Sequence, residues 1–434
     1  MPLPLWLWVG AAGATIVVTF VVMALFVRSR SLADYPRVDL PWLDSPAAAA
    51  AARFIAVAAF VLTLATGFFG VQDAYRNLTP TMVWVLWWVG FAFVCALLGD
   101  LWALVNPLRT LFAWGEALYA KLAGGRALAR ELAYPPWLGA WPALLLFLGF
   151  AWAELVWRSN DVPGYLARAM LAYAALAWLG MFLYGRETWL RNGEAFSVAF
   201  GVLSRLAPLA AAPRPHLRAP GAGLLAGEPV SPSYAAFVLL MLATVSFDGF
   251  LETPLMQRLE SAILGSPAAA RALFELSAWG LDETQLIHTA ALAAFAFGFF
   301  AAFRLAAGAT GTRFVLTLVP IAVAYHLAHY FSLVVTAGQF VIPLASDPFG
   351  FGWDLFGTAD YKVDLGLLSP YVFWYGAVAL VVIGHVIAVF LAHVEALRLF
   401  GSRKAALASQ VPMVALMVAY TMLSLWILAQ PVVG

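Results

Sequence analysis

His326 and His329 stand three residues apart in Ala-Tyr-His-Leu-Ala-His-Tyr-Phe-Ser (324–332), so a helix would carry both imidazoles on one face. Neutral imidazoles are nitrogen ligands for zinc, copper or iron, and carboxylates add charge and orient a bound water. His288, Asp248 and Glu154 could complete such a set, with a metal-held water acting as the nucleophile of a hydrolytic or oxidative centre. Arg168, Gln339 and His385 are the other polar side chains that fall inside apolar runs. Ionisable groups at such positions are costly, which makes each a candidate functional residue. Each also has a structural reading: a histidine kept neutral by a carbonyl or by Ser332, or Glu154 paired with Arg168.

The elements that must position these residues are set by composition. Hydrophobic residues make up 64% of the 434-residue chain and charged residues 11%, far from the balance of a soluble domain. The 18 Trp and 14 Tyr suit the aromatic belts of a bilayer. The net charge of +1 gives no nucleic acid a handle. The single cysteine, Cys95, excludes an internal disulfide framework.

Ten apolar runs read as membrane helices: Leu5–Val27, Phe54–Val71, Met82–Gly99, Trp141–Trp157, Tyr165–Gly185, Tyr234–Phe250, Leu286–Phe303, Phe314–Thr336, Tyr371–His393 and Val411–Leu428. Runs this continuous do not alternate as barrel strands must, so the fold class is an all-α polytopic membrane protein with short interfacial helices. Lys and Arg crowd the loops after the first, third, fifth, seventh and ninth runs, including Arg28, Arg30, Arg109, Arg214 and Arg398. The positive-inside rule makes those loops cytoplasmic and both termini extracytoplasmic in a multi-pass protein.

Five helices form a first half (1–206), whose segment 100–140 suits a cytoplasmic interfacial piece. A Pro/Gly/Ala-rich linker (207–233) leads to a second five-helix half (234–434). The outer loop 251–285 has room for two short amphipathic helices, and 346–369 reads as a Gly/Asp-rich lid.

Depth decides which residues can meet. At about 1.5 Å per residue across a core of about 30 Å, His326 rises about 18 Å and His329 about 22 Å from the cytoplasmic side. Asp248 reaches about 21 Å, Glu154 about 20 Å, Arg168 about 25 Å and His288 about 27 Å, all in the outer leaflet. His385 stays about 9 Å above the inner face, and His393 and Glu395 reach the cytoplasmic exit. The height gap weighs against a haem held between His329 and His385.

Several phrases occur together: Gly99-Asp-Leu-Trp-Ala-Leu-Val-Asn-Pro-Leu-Arg109, Val245-Ser-Phe-Asp-Gly249, Ala328-His-Tyr-Phe-Ser332, and the stretch from Leu344 to Gly357 ahead of Gly384-His and Leu391-Ala-His393. The sequence resembles the bacterial integral-membrane proteins labelled fenitrothion hydrolase, from the first span to the last. The resemblance implies the polytopic fold and hydrolysis of an organophosphorus ester. It also directs interest to Asp248, His329, His385 and His393.

Three functions stay open at this point. One is a metal-dependent membrane hydrolase, with His326, His329 and His288 as ligands and Asp248 or Glu154 orienting water. The second is a transporter or permease with a stepped polar route through Gln339 and His385, hinged at Pro320 and Pro343. The third is a non-catalytic subunit that partners other proteins in a redox complex of the bilayer. No HExxH, phosphate loop, CxxCH or GxSxG motif occurs, so soluble-type metallohydrolase and nucleotide-driven chemistry are not signalled.

Overall fold

The computed structural model describes residues 4–27, 37–41, 44–210, 215–225, 230–278 and 280–430. Arg28, Arg30, Arg214 and the linker stretches 211–214 and 226–229 lie outside them. Among the described residues, nine helices are long and apolar enough to cross a membrane: α1 (Leu5–Phe26), α2 (Pro46–Phe69), α3 (Leu78–Leu98), α6 (Pro163–Tyr184), α8 (Pro232–Leu251), α11 (Glu283–Ala307), α12 (Gly311–Ser346), α13 (Pro370–Leu399) and α14 (Arg403–Leu428). Five shorter helices complete the numbering: α4 (Pro107–Leu122), α5 (Trp141–Leu155), α7 (Ala195–Ser204), α9 (Pro254–Leu264) and α10 (Pro267–Ser277).

The fourth expected span, Trp141–Trp157, is the short helix α5. Its 15 residues cover about 22 Å, less than a hydrocarbon core of about 30 Å. Asn160 ends it by donating its side-chain amide to the Glu154 carbonyl at 2.6 Å, and the chain turns into α6 at Pro163. The segment with room for two amphipathic helices holds α9 and α10.

The helix starts follow local chemistry. Pro46, Pro163, Pro232 and Pro370 occupy first turns, where a missing N–H leaves no bond unmade. Ser45, Ser231 and Ser402 cap α2, α8 and α14 through their side chains, and Asp282 with Gln285 forms a capping box on α11. Three two-residue strands, β1 (Val38–Asp39), β2 (Leu209–Ala210) and β3 (His216–Leu217), pair antiparallel in the order β1-β3-β2. They tie the segment after α1 to the segment between α7 and α8.

Helix α8 runs through the centre, with 72% of its apolar window buried against 17% for α1. Around it pack α5, α11 and α12, and α1 lies against α13 and α14, so the first span of the sequence sits with the last two. Helix α3 is π-helical over Thr81–Gly90, the stretch that meets α12. Helix α12 carries 3-10 turns at Val315–Leu318 and Gly338–Phe340.

The loop after α12 is tied down over the α2–α3 turn. Val71 N–H and Leu78 N–H donate to the Phe349 and Pro348 carbonyls at 2.9 and 3.1 Å. Gly350, at φ 75°, allows this approach: a Cβ there would stand 2.3 Å from Val71 Cγ2 and 2.5 Å from the Arg76 carbonyl.

Candidate functional site

Where α8 approaches its C-terminal end it crosses α12, and the crossing joins three side chains that lie far apart in sequence. Asp248 Oδ2 sits 2.9 Å from His329 Nε2 and accepts the Tyr330 hydroxyl at 2.6 Å. A carboxylate only accepts, so the neutral His329 ring keeps its hydrogen on Nε2 and presents Nδ1 as a bare lone pair. The face nearest this cluster is called the near face below.

Asp248 and His329 are enclosed by the bundle, yet their side chains are 22% and 20% exposed. Glu154 of α5 lies within electrostatic reach of both Asp248 and Tyr330. Glu252 lies one turn beyond Asp248. Burial, followed by repulsion from Asp248, holds its carboxyl above the ordinary value.

His326 is on the same helix but in different surroundings. Its ring lies 6.0 Å from Trp88, 5.4 Å from Phe93 and 4.8 Å from Tyr330, and its Nε2 is buried with no hydrogen-bond partner. It approaches the Val89 backbone, within the π-helical stretch of α3. His329 lies 4.7 Å from the same Tyr330 ring, so one phenol touches both imidazoles. Trp88 Nε1, also buried, points toward the Glu154 carboxyl on this side of the cluster.

The other predicted residues lie apart. His288 Nε2 is 3.5 Å from Glu260 Oε2 of α9, and Glu260 also accepts the Thr284 hydroxyl. His288 thus belongs to the α9–α11 contact and does not join His326 and His329. Among the described residues no three His, Cys, Asp or Glu side chains are grouped as a metal set. Arg168 is exposed, lies 5.1 Å over the Tyr165 ring and forms no ion pair with Glu154. Gln339 accepts from the Tyr361 hydroxyl and Asp364 N–H at 2.9 and 3.0 Å, pinning the loop after α12.

His385 is buried in α13 with Nδ1 2.8 Å from the Val381 carbonyl. His393, two turns on, is fully buried between Gln410 Oε1 at 3.0 Å and the Val27 carbonyl at 3.2 Å. Glu395 lies 3.5 Å from Arg398.

Tyr330 was not among the residues singled out from sequence, although it directly follows His329 and supplies the second donor to Asp248. Its signal was available: Tyr325 and Tyr330 flank the two histidines one residue away on either side.

Chemically, the cluster is an imidazole base oriented by a carboxylate, with a phenol holding the carboxylate in place. The molecule carrying it is a multi-pass α-helical membrane protein. Comparison with family models, with curated proteins and with solved structures finds no match for this chain.

Proposed function

We propose that this chain is a hydrolase of the bacterial inner membrane in which His329, oriented by Asp248, is the general base that activates water. The supporting observation is the Nε2 contact to Asp248, which leaves Nδ1 as the free nitrogen of a side chain that is 20% exposed. A bare imidazole nitrogen that water can reach is the arrangement required to take a proton from attacking water. The basic loops favour the extracytoplasmic side for the near face, with substrate entering from there or from the outer leaflet. An organophosphorus ester with apolar substituents is the substrate class implied by the resemblance to fenitrothion hydrolases. Apolar walls and a few convergent polar groups are the features such a ligand needs.

The test is turnover of an activated aryl phosphotriester by detergent-purified protein. His329→Gln is expected to lower kcat by about 10²- to 10⁴-fold, the usual worth of a positioned base. Unchanged turnover in a folded His329→Gln protein overturns the reading.

A second reading is a proton-coupled transporter in which the same pair is the outer proton station. It is favoured by the unpartnered polar atoms that continue inward from Tyr325 to His385. Uptake of an organic acid or cation into proteoliposomes, dependent on Asp248, separates it from the first.

A further inference from the structure

Farther from the near face, where α12, α13 and α14 meet, the bundle contains two buried polar atoms with no hydrogen-bond partner, the Tyr325 hydroxyl and His385 Nε2. Both residues are 1% exposed, so bulk solvent does not satisfy them. Orphaned buried groups are rare, and two in one region call for an occupant.

Tyr420 connects them. Its ring lies 5.8 Å from the His385 ring, and Ser424 follows it by one turn of α14. Its hydroxyl meets Ser246 Oγ at 2.5 Å. Ser246 gives its own hydrogen to the Leu242 carbonyl at 2.8 Å, so Tyr420 is the donor in that contact, and its oxygen accepts from the Ser424 hydroxyl. The Tyr325 hydroxyl is within electrostatic reach of both Tyr420 and Asp248, and its ring stacks on His329 at 5.9 Å and 11°.

The tautomer of His385 follows from its one contact. A carbonyl only accepts, so the hydrogen sits on Nδ1 facing Val381, and Nε2 is an open acceptor. The region therefore has one free donor, the Tyr325 hydroxyl, and two free acceptors, His385 Nε2 and the remaining lone pair of the Tyr420 oxygen. A buried water needs two to four polar partners of both kinds, and this set provides them. The titratable groups around His385 are Tyr420 on α14 and Tyr325 on α12. Helix α1, also packed on α13, carries none, and α8 contributes Ser246. Gly384 brings α13 close enough: a Cβ there would stand 2.3 Å from Ala324 Cβ.

Gly249 lets α8 pack closely between the two groups. A Cβ at that position would lie 2.9 Å from the Tyr325 hydroxyl, 2.7 Å from Ile427 Cγ2 and 3.4 Å from His329 Cε1. We propose that ordered water held by Tyr325, Tyr420 and His385 links the Asp248–His329 pair to His385, forming a proton relay from the near face toward the middle of the membrane. Each hop makes one O–H or N–H bond and breaks another. His329 Nδ1 first takes a proton from the near-face solution; the net change is that proton placed on His385 Nε2, with His329 returned to the neutral form. The relay rests on the reading of Asp248–His329 as the working acid–base pair.

Charge displacement reads it directly. The full-length protein is reconstituted in liposomes on a solid-supported membrane, and the near-face solution is acidified in a rapid step. The wild type is expected to give a transient inward charge movement. Asp248→Asn should abolish it, and His385→Gln and Tyr325→Phe should each reduce it about tenfold, the scale of a lost proton-transfer group.

If Asp248→Asn abolishes the transient but His385→Gln and Tyr325→Phe leave it whole, the relay is overturned and the pair survives. If Asp248→Asn leaves it whole, both fall. For variants that do not fold, 15N NMR of histidine-labelled wild type supplies the check. The expected result is a His385 signal that moves from the Nδ1–H tautomer to imidazolium as the near-face pH falls. A His385 signal that stays fixed while that of His329 moves overturns the relay.

Discussion

Asp248→Asn tests the site most sharply, because it preserves shape while changing what the side chain can offer His329. Asp248 accepts two hydrogen bonds on Oδ2, from His329 Nε2 at 2.9 Å and from Tyr330 at 2.6 Å. Bonds to a charged acceptor contribute about 1.5–3 kcal/mol each, and asparagine keeps one acceptor oxygen, so the stability loss should be close to one such bond. The effect on turnover is larger. An amide N–H turned toward His329 Nε2 moves the ring hydrogen to Nδ1, which removes the base.

A loss of about 10²- to 10⁴-fold in kcat corresponds to about 2.7–5.4 kcal/mol of barrier. Tyr330→Phe is the control, since it deletes the other hydrogen bond and leaves the His329 tautomer as it was. It should cost less than about tenfold in kcat with a similar fall in melting temperature. The assay is phosphotriester turnover beside thermal melts of both proteins. Equal kcat losses in the two variants, or less than a tenfold loss in Asp248→Asn, would refute the tautomer argument.

Three further outcomes are expected. Gly350→Ala should lower the melting temperature, since its Cβ meets Val71 Cγ2 at 2.3 Å and the Arg76 carbonyl at 2.5 Å. Clashes of this kind cost about 1–3 kcal/mol, and differential scanning fluorimetry reads the loss. Extensive chelation should leave turnover unchanged, because His288 pairs with Glu260 and no three metal-ligating side chains are grouped among the described residues. A metal retained at one per chain, whose removal stops turnover, would refute this.

Asp100, at the end of α3, has its carboxyl held above the ordinary value of 3.8 by burial, with the Ala103 N–H bond and Arg109 opposing. The folded state therefore binds that proton more tightly than the unfolded state, and stability is lost as pH rises past 3.8. Asp100→Asn should then raise the melting temperature near pH 7, with the gain vanishing toward about pH 4.

The membrane class and most of the spans were legible because apolar run length is a one-dimensional property. Helix α5 stands where the fourth run was expected, beside α8, but is shorter than that run. Trp141–Trp157 is apolar apart from Glu154, and Asn160 terminates the helix through a side-chain bond to the Glu154 carbonyl that hydropathy cannot register.

At the site, counting residues along each helix placed Asp248 and His329 at one level, and the structure joins them. The same count grouped His326 and His288 with them. Height alone does not say which way a side chain points: His326 turns toward Trp88 and Phe93, and His288 toward α9. Tyr330 escaped notice because a tyrosine in an apolar run reads as core until its hydroxyl is seen on Asp248. The unpartnered Tyr325 and His385 could not be inferred at all, since a missing partner is a property of helices meeting.

The seating of α1 against α13 and α14 also bears on how the chain is made. Helix α1 is synthesised long before the two helices that define its resting place, so it must wait in lipid, without those neighbours, until α13 and α14 have left the ribosome. A stop codon before α13 would strand it there. Conversely, α1 supplied as a separate peptide should dock onto a chain that lacks it, since the contact requires adjacency in the bilayer and no covalent link.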